Sequence, residues 1–493
     1  MDWLDHWAGT TVLVILVGIF VWLAVMYVQD ITQTTHTVRR NFPIVGRMRY
    51  RFEKLGEYFR QYFFSHDREE MPFNRATRAW VYRTAKGLGG LLGFGSTNDL
   101  REPGSVIFAS AAYALLEEDY TETPNLVIGE NCSHPFKTKS LFNISGMSYG
   151  AISAAAVRAL SKGAGKSGIW MNTGEGGLSP YHLEGNCDII FQIGTAKYGV
   201  RDSDGNLSDE RLREVGQHVK AFEIKMSQGA KPGRGGVLPA AKVTEEIAKI
   251  RGIPVGQVSS SPNRHKNIKS PEDLLKMIHH IRQITGRPVG YKAVIGSEGS
   301  VRELCEAIHR LGRDYAPDFI TVDGGDGGTG AAPQLLADHV GLPLNESLPI
   351  LVDTLIEYDL KQQVKVVASG KLVQSAQVAW ALCVGADFIV SARGFMFSLG
   401  CIQSMQCHTD TCPTGITTHD KRRQRGLVVA DKAERVNRYA HWVNHEVNVL
   451  AHSCGLSNAR EFRREHIRIV INPGKSRPLE ELYPYPEIKF PLV

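Results

Sequence analysis

The sequence predicts an α/β fold, a closed (β/α)8 TIM barrel with an N-terminal transmembrane helix and helical accessory segments. Two observations predict the barrel. Eight short, β-branched segments that end at glycines or polar turns alternate with helical patterns over about 260 residues. These segments are continuously apolar, which is typical of parallel strands buried on both faces. A long apolar run close to the N-terminus predicts the membrane helix.

Composition indicates a globular protein and argues against nucleic-acid binding. The chain has 493 residues, of which 43% are hydrophobic and 22% are charged, so it can bury a large core. Its formal net charge is +6 and its pI is near 8.8, but beyond the N-terminal region the basic residues form no continuous stripe. We therefore expect no nucleic-acid partner.

The first predicted element is a helix that crosses a membrane. Residues 10–28 read TTVLVILVGIFVWLAVMYV, an uncharged run that would span about 28 Å as a helix, close to the hydrocarbon thickness of a bilayer. A cleaved signal peptide would have a basic start and a shorter apolar run, whereas Asp2 and Asp5 precede this one. A buried core helix is the alternative.

The charges around this run predict its orientation. No lysine or arginine precedes it, and six follow it: Arg39, Arg40, Arg47, Arg49, Arg51 and Lys54. Cytoplasmic loops carry the excess of basic residues. We therefore expect a single-pass protein of the inner (cytoplasmic) membrane with its catalytic domain in the cytoplasm.

Four segments follow from these patterns. We predict a transmembrane anchor over 1–38, an accessory juxtamembrane segment over 39–130, the barrel over 131–425 and a helical extension over 426–493. The juxtamembrane stretch YRFEKLGEYFRQYFF predicts either a helix on anionic lipid or a packed accessory helix. The extension reads as helices in ERVNRYAHWVNHEVNVLAH and NAREFRREH.

The eight predicted strands lie between residues 141 and 394. They read LFNISG (141–146), GIWMNTG (168–174), DIIFQIG (188–194), AFEIKMSQG (221–229), PVGYKAVIG (288–296), DFITVDGG (318–325), VKVVASG (364–370) and DFIVSARG (387–394). One intervening helix begins at Ser270, with a first-turn proline and acidic residues behind it. A doubly wound open sheet is the alternative that this periodicity leaves open.

Glycine-rich loops follow the predicted strands, at the end where a barrel carries its chemistry. After strands seven and eight, Ser369-Gly370-Lys371 and Ala392-Arg393-Gly394 offer backbone N–H groups and two cations where barrels bind phosphate. A mononucleotide phosphate would fit there. Glycines that merely turn the chain are the alternative, which seven such loops on one rim make less favourable.

Four charged residues near the strand ends are candidates for chemistry. Lys225 and Lys292 lie inside apolar strands, where a buried lysine needs a partner such as a carboxylate, a phosphate or a flavin. Lys231 is a third candidate cation, and a solvated loop lysine explains it equally well. Glu175 is a candidate acid/base or ammonium-binding carboxylate, with a structural salt bridge as the alternative.

Three of the eight cysteines, Cys401, Cys407 and Cys412, follow the eighth predicted strand. A cytoplasmic domain keeps its thiols reduced, which argues against a disulfide. The C-x5-C-x4-C spacing suits an iron–sulfur cluster, a zinc site completed by His408, or unligated core thiols, and spacing alone leaves all three open.

Together these motifs resemble a known family. MSYGAIS, NTGEGG, EIKMSQGAKPGRGG, DGGDGGTGAAP, SGK and CIQSMQCHTDTCPTGITTHD are similar, in order and spacing, to the FMN-binding synthase domain of glutamate synthase, over about residues 75 to 420. The resemblance implies a (β/α)8 barrel with FMN on its C-terminal face and a 3Fe-4S cluster at the three cysteines. The chain looks like a short, stand-alone, membrane-anchored protein of this kind.

The resemblance also implies roles for individual residues. Those implied for FMN are Met147, Ser148, Asn172, Gln192, Lys292, Gly325, Gly370, Lys371 and Gly394. Those implied for the cluster are Cys401, Cys407 and Cys412. Those implied for catalysis and substrate binding are Glu175, Lys225, Gln228 and Lys231.

In the family, 2-oxoglutarate and ammonia form 2-iminoglutarate, which takes a hydride from reduced FMN to give glutamate. This sequence lacks the family's N-terminal glutaminase cysteine, its glycine-rich β-helix and a GxGxxG motif for NADPH. We therefore expect electrons from a partner such as ferredoxin or a reductase subunit, and ammonia from solution or a separate glutaminase. The loop at 261–265, SPNRH, departs from the family's SPPPHH, so a related oxo acid is an alternative substrate.

Two other functions stay open. One is related FMN-barrel chemistry that transfers methylamine onto glutamate. The other is a membrane-anchored electron-transfer subunit that turns over no small molecule. That subunit would need neither buried Lys225 nor Glu175, so Lys225→Ala should leave its function intact.

Overall fold

The chain folds into two compact units, residues 1–78 and 79–493. A computed structural model describes residues 2–491. The first residue of the predicted anchor and the last two of the predicted extension lie outside the described residues.

The first unit is built from helices. They are α1 (Asp2–Thr32), α2 (Thr37–Asn41), α3 (Gly46–Phe59) with a π-helical turn after it (Arg60–Phe64), and α4 (Arg75–Ala85), which contains the boundary between the units. Among the described residues, only residues 7–32 of α1 form a helix long and apolar enough to cross a membrane. Large apolar side chains along this stretch are exposed.

The second unit combines strands and helices. Its strands are β1 (Val106–Phe108), β2 (Leu126–Ile128), β3 (Phe136–Thr138), β4 (Phe142–Ile144), β5 (Met171–Asn172), β6 (Ile189–Ile193), β7 (Ala221–Lys225), β8 (Val237–Leu238), β9 (Ser259–Ser260), β10 (Val289–Ala293), β11 (Phe319–Asp323), β12 (Lys365–Ser369), β13 (Phe388–Ser391), β14 (Ile467–Asn472) and β15 (Lys475–Pro478). Its remaining helices are α5 (Ala154–Ser167), α6 (Pro180–Leu183), α7 (Asp209–Gly216), α8 (Glu245–Arg251), α9 (Pro271–Thr285), α10 (Glu298–Leu311), α11 (Gln334–His339), α12 (Leu344–Glu357), α13 (Ser375–Val384), α14 (Arg393–Leu399), α15 (Lys421–Gln424), α16 (Val429–Ser453) and α17 (Leu479–Leu482).

Eight of these strands close into a parallel barrel. Their order is β4-β5-β6-β7-β10-β11-β12-β13, and closure occurs where β13 pairs with β4. Each strand lies within one of the eight predicted segments, so the closed barrel is confirmed over the open doubly wound sheet. Every residue of β6 and β7 is buried, as expected for strands enclosed on both faces.

A helix from the C-terminal extension completes the outer layer of the barrel. The helix directly after β13, α14, has only seven residues, and the 25-residue α16 packs against α5, α13 and α14. Gly163 on α5 permits this close approach, because a Cβ there would overlap the side chain of Val436 on α16. Part of the extension is therefore an element of the barrel wall.

The rest of the extension differs from the helical expectation. NAREFRREH (458–466) forms two 3₁₀ turns, and the chain then forms the hairpin β14–β15, which adds β1 as a third antiparallel strand. The sequence IRIVIN is rich in β-branched residues, which favour strands. Gly474, at φ +76°, supplies the left-handed residue that the tight turn requires.

The hairpin β2–β3 closes the N-terminal end of the barrel. Ile128 and Phe136 from this hairpin are buried with Trp170, Phe319 and Phe388, which lie at or just before the starts of barrel strands. This end is filled by apolar side chains. The glycine-rich loops lie at the opposite end, where the strands finish.

Candidate active site

A buried carboxylate stands inside the barrel. Glu223 on β7 accepts hydrogen bonds from Nδ2 of Asn172 (2.8 Å), Nε2 of Gln192 (2.6 Å) and Oγ1 of Thr321 (2.6 Å). These bonds orient the two amides that the resemblance implies for FMN. Glu223 was not predicted, although it lies two residues before Lys225 and therefore on the same face of the strand.

Lys292 belongs to a second buried ion pair. Its Nζ lies 3.1 Å from Oδ2 of Asp323, which also accepts hydrogen bonds from Oγ of Ser369 (2.7 Å) and the N–H of Gly229 (2.9 Å). Burial alone would lower the pKa of Lys292, but Asp323 and Glu223 raise it above its ordinary value. Burial would raise the pKa of Asp323, but Lys292 and the hydrogen bonds lower it. Lys292 therefore places a positive charge in the barrel cavity, which Glu223 also lines.

Glu175 and Lys225 form a third pair at the mouth of the barrel. Glu175 follows β5, Lys225 ends β7, and Nζ of the lysine lies 3.1 Å from Oε1 of the glutamate. Burial would raise the pKa of Glu175, but Lys225, Lys231 and Arg251 lower it, so the carboxylate is ionised at neutral pH. The loop after β7 closes tightly over it, because a Cβ at Gly236 would overlap Oε1 of Glu175.

Two further cations are buried close to this pair. Burial and the charge of Lys225 lower the pKa of Lys231, and Glu175 opposes this shift. Arg251 on α8 is 6% exposed, and its Nη2 donates to the backbone carbonyl of Tyr149 (3.3 Å). Arg251 was not predicted, because an arginine in a helix carries no local signal of facing a site.

The mouth of the barrel therefore carries more positive than negative charge. The pKa of Glu175, the single carboxylate of this cluster, is lowered by three cations: Lys225, Lys231 and Arg251. Buried charge without a partner is costly, so an anion is expected to bind here. A dicarboxylic acid has the charge that this cluster lacks.

His265, in the loop SPNRH, forms a hydrogen bond to the end of the same strand, β7. It is fully buried, and its Nε2 lies 3.1 Å from the carbonyl oxygen of Lys225. Burial lowers its pKa to about 4, so the ring is neutral at pH 7 and Nε2–H donates to that carbonyl. Its Nδ1 is then an acceptor, and it has no hydrogen-bond partner among the described residues.

The loop after β11 connects the two predicted phosphate-binding loops. Its Asp326 lies 3.4 Å from Nζ of Lys371, and the carbonyl of its Thr329 accepts from Nη2 of Arg393 (2.5 Å). Gly370 has φ +134°, which only glycine adopts readily, and a Cβ there would lie 3.0 Å from the backbone nitrogen of Gly324. The two cations and the glycine backbone thus meet at one corner of the rim.

The other predicted residues lie along this rim. Met147 and Ser148 follow β4, Gln228 is half-buried after β7, Gly325 follows β11, and Gly394 lies in the first turn of α14. The predicted site residues therefore lie inside the barrel or at its C-terminal end.

The three cysteines lie beside Arg393. Its Nη1 is 3.8 Å from Sγ of Cys407, and Nζ of Lys242 donates to the backbone carbonyl of Cys407 (2.9 Å). Burial raises the pKa of Cys401, and the nearby thiols of Cys407 and Cys412 raise it further. Burial would raise the pKa of Cys412, but hydrogen bonds from the Thr414 and Thr417 region lower it to about 7.

Hydrogen bonding at Cys412 favours its thiolate, the form that binds iron or zinc, whereas burial at Cys401 favours the neutral thiol. Three cysteine sulfurs are the donor type that an iron–sulfur cluster takes. In the part of the chain that the structure describes, however, no three Cys, His, Asp or Glu side chains are arranged as a metal site. The geometry thus shows neither an iron–sulfur nor a zinc centre.

Comparison with known proteins decides the family. The sequence profile of the conserved region in glutamate synthase matches residues 96–457. The chain belongs to the glutamate synthase family. The glutamate synthase large subunit-like protein YerD of Bacillus subtilis (strain 168) is 40% identical over 92% of this chain and 93% of its own. An archaeal-type glutamate synthase (NADPH) of Thermotoga neapolitana is 32% identical over 76% of this chain and 71% of its own.

Family membership makes the chain a glutamate synthase-like oxidoreductase. Amide side chains, a buried lysine and a glycine-rich corner with two cations form a donor set that fits a flavin mononucleotide. Membership and donor set together support FMN as the cofactor. Among solved structures, the recombinant flavin-binding domain of baker's yeast flavocytochrome b2 has a TM-score of 0.46 and 14% identity over 85% of each chain, a likeness too distant to bear on the site.

Proposed function

We propose that the barrel binds FMN and reductively aminates 2-oxoglutarate, or a related oxo acid, with ammonia. The observation that carries the proposal is the buried cluster of Lys225, Lys231 and Arg251 around one carboxylate, Glu175. The net reaction consumes the oxo acid, one ammonium ion, two electrons and two protons, and it yields the amino acid and water. FMN, when bound, supplies the hydride.

The surplus of buried cations supports an acidic substrate. The two carboxylates of a dicarboxylic oxo acid would neutralise the two positive charges that Glu175 leaves uncompensated among Lys225, Lys231 and Arg251. A bound substrate held at both ends presents its carbonyl carbon in a fixed orientation, which is the main contribution a protein makes to hydride transfer.

The pKa shifts assign different roles to Glu175 and Lys231. Because the pKa of Glu175 is lowered, its carboxylate is ionised at neutral pH and is suited to binding ammonium rather than to donating a proton. Burial and the charge of Lys225 lower the pKa of Lys231, which makes its ammonium group a better proton donor. We assign to Nζ of Lys231 the proton that reaches the hydroxyl of the carbinolamine as water leaves and the imine forms.

Residues inside the barrel would hold the flavin. Asn172, Gln192 and Lys292 would bind its ring, with Glu223 orienting the two amides. At the rim, residues Gly325, Gly370, Lys371, Arg393 and Gly394 would bind its phosphate, and Met147 and Ser148 would lie beside it.

The proposal includes further partners. A 3Fe-4S cluster at Cys401, Cys407 and Cys412 is supported by the three sulfur donors and by the lowered pKa of Cys412. Electrons would come from ferredoxin or a reductase subunit, and ammonia from solution or a separate glutaminase. Residues 1–38 would anchor the protein in the cytoplasmic membrane with the barrel in the cytoplasm, which the apolar α1 and the basic residues after it support.

Reoxidation of the flavin tests this function. Full-length protein is purified anaerobically in detergent, photoreduced, and mixed with 2-oxoglutarate and ¹⁵N-ammonium. We expect the oxidised flavin spectrum to return as an equal amount of ¹⁵N-glutamate forms. Lys225→Met should slow this reaction by more than about 100-fold, because it removes a group that orients the substrate. Lys220→Met is the matched control, since Lys220 directly precedes the same strand at the opposite end of the barrel and is half exposed.

The other outcomes separate the alternatives. Flavin-replete protein that forms N-methylglutamate from glutamate and methylamine, and no glutamate from ammonia, would replace the proposed reaction with methylamine transfer. Flavin that responds to neither substrate pair would overturn amination and favour an electron-transfer subunit.

A further inference from the structure

The helix α3 in the first unit carries an exposed apolar face. Met48, Phe52, Leu55 and Phe59 have 51%, 60%, 47% and 45% of their surface exposed. Their spacings of four, three and four residues put them on one face of the helix. Phe63, in the π-helical turn that follows, is 73% exposed and extends the same series. We call these five side chains the α3 stripe.

Charges on α3 are sorted around the stripe. At about 100° per residue, Arg49 lies along one edge of the stripe and Arg51 along the other. Glu53, Lys54 and Glu57 lie away from it, towards the opposite face. All five side chains are exposed. An apolar face with arginines at its edges and a charged face behind it is typical of helices that lie on anionic bilayers.

The start of α3 is held at the end of α1. Asp30, in the last turn of α1, is fully buried and accepts hydrogen bonds from Arg39 (2.8 Å), Arg47 (2.7 Å) and the N–H of Ile44 (2.9 Å). Arg47 is the second residue of α3, and its Nη2 also donates to the carbonyl of Met26 on α1 (3.3 Å). The helix α3 therefore begins at the level where the apolar helix α1 ends.

We propose that the α3 stripe lies on the membrane surface, with anionic lipid headgroups bound by Arg49 and Arg51. The occupant is a bilayer because the apolar helix α1 would carry α3 to its surface and because the charges at the stripe's edges complement an anionic leaflet. The proposal rests on α1 spanning the membrane. It adds a second, lipid-selective contact to that anchor, and it favours a lipid-bound helix over a packed accessory helix for this segment.

Photocrosslinking to lipid tests the proposal on the full-length protein. The photoreactive amino acid p-benzoylphenylalanine replaces Phe52 on the stripe, Glu57 on the opposite face, or Phe20 within α1, and each protein is placed in nanodiscs. We expect lipid adducts at Phe52 and Phe20, and at least about fivefold fewer at Glu57. In nanodiscs that contain phosphatidylglycerol, the yield at Phe52 should exceed that in pure phosphatidylcholine by about fivefold, and R49E together with R51E should abolish this difference.

The failures of the two membrane proposals are distinguishable. Lipid adducts at Phe20 with no excess at Phe52 over Glu57 overturn the surface contact and leave the spanning helix. Lipid adducts at Phe52 without any at Phe20 overturn the spanning helix and, with it, the surface contact as proposed, because α1 would then not carry α3 to the bilayer. Crosslinks from Phe52 to a second copy of the chain, in place of lipid, overturn the proposal and assign the stripe to a dimer interface.

Discussion

The pair formed by Glu175 and Lys225 gives a quantitative test of the site. At 3.1 Å, and with an effective dielectric constant of about 20, the attraction between the two charges is about 5 kcal/mol before desolvation is counted. Removing one partner of a buried pair typically costs about 3–5 kcal/mol, because the other charge is left buried without compensation. We therefore predict that each single substitution lowers the free energy of unfolding markedly.

The two single substitutions should differ in size. Glu175→Gln leaves Lys225, Lys231 and Arg251 without their shared anion, so we expect a loss of about 4 kcal/mol. Lys225→Met leaves Glu175 with two other cations, so we expect a loss of about 3 kcal/mol. The double substitution should cost no more than Glu175→Gln alone, which corresponds to a coupling energy of about 3 kcal/mol.

Guanidinium unfolding without oxo acid, followed by far-ultraviolet circular dichroism in detergent, measures all of these changes. The slope of unfolding free energy against denaturant should be the same in every variant. Lys220→Met should lie within about 0.5 kcal/mol of the unaltered protein, because exposed ion pairs contribute little. If the two single losses add to the double loss within about 0.5 kcal/mol, the charges are not coupled and the proposed anion-binding cluster fails.

Three further predictions concern other parts of the second unit. The pKa of His265 is about 4 in the folded chain, against an ordinary value of 6.5. Between these two pH values the unfolded chain binds a proton that the folded chain does not. The free energy of unfolding should therefore fall by about 3 kcal/mol as the pH drops from 6.5 to 4. In guanidinium unfolding at a series of pH values, His265→Gln should remove that part of the slope, and an unchanged slope would contradict the neutral buried ring. Gly163→Ala should lower the free energy of unfolding by about 1–3 kcal/mol, because the added Cβ would overlap α16. Gly299→Ala is the control and should cause no such loss, because the space around Gly299 is open. Equal losses in the two variants would refute the close helix contact. Cys412→Ser should abolish the electron paramagnetic resonance signal of an oxidised 3Fe-4S cluster, while Cys187→Ser keeps it, and a signal that survives Cys412→Ser would exclude this cysteine as a ligand.

The barrel could be predicted because its strands carry a local signature. Each strand is buried on both faces, so its sequence is apolar throughout and stops at a glycine or polar turn. The exceptions to that pattern indicated the site. Lys225 and Lys292 stood out as charges within apolar strands, and both lie in buried ion pairs. Glu223 carried the same signal and was overlooked.

Other site residues could not be predicted because their role depends on contacts across the fold. Arg251 lies on α8, in the long segment between β7 and β10, and it can lower the pKa of Glu175 only because that segment folds back towards the barrel mouth. His265 was visible as a member of a divergent loop. Its hydrogen bond to the carbonyl of Lys225, at the end of β7, depends on where the loop lies in the folded chain.

The sequence alone predicted the eight strands, the apolar N-terminal helix and the resemblance to the family, because each rests on short-range periodicity or on motifs in a fixed order. It favoured a closed barrel but left an open sheet as the alternative. Only the folded chain shows that the barrel closes, which charges pair, that α16 completes the barrel wall, and that β1 joins the C-terminal hairpin. These outcomes join residues far apart in the chain. They arise because buried apolar surfaces must pack against one another and buried charges must be paired in the folded chain. No local stretch of sequence specifies these long-range contacts.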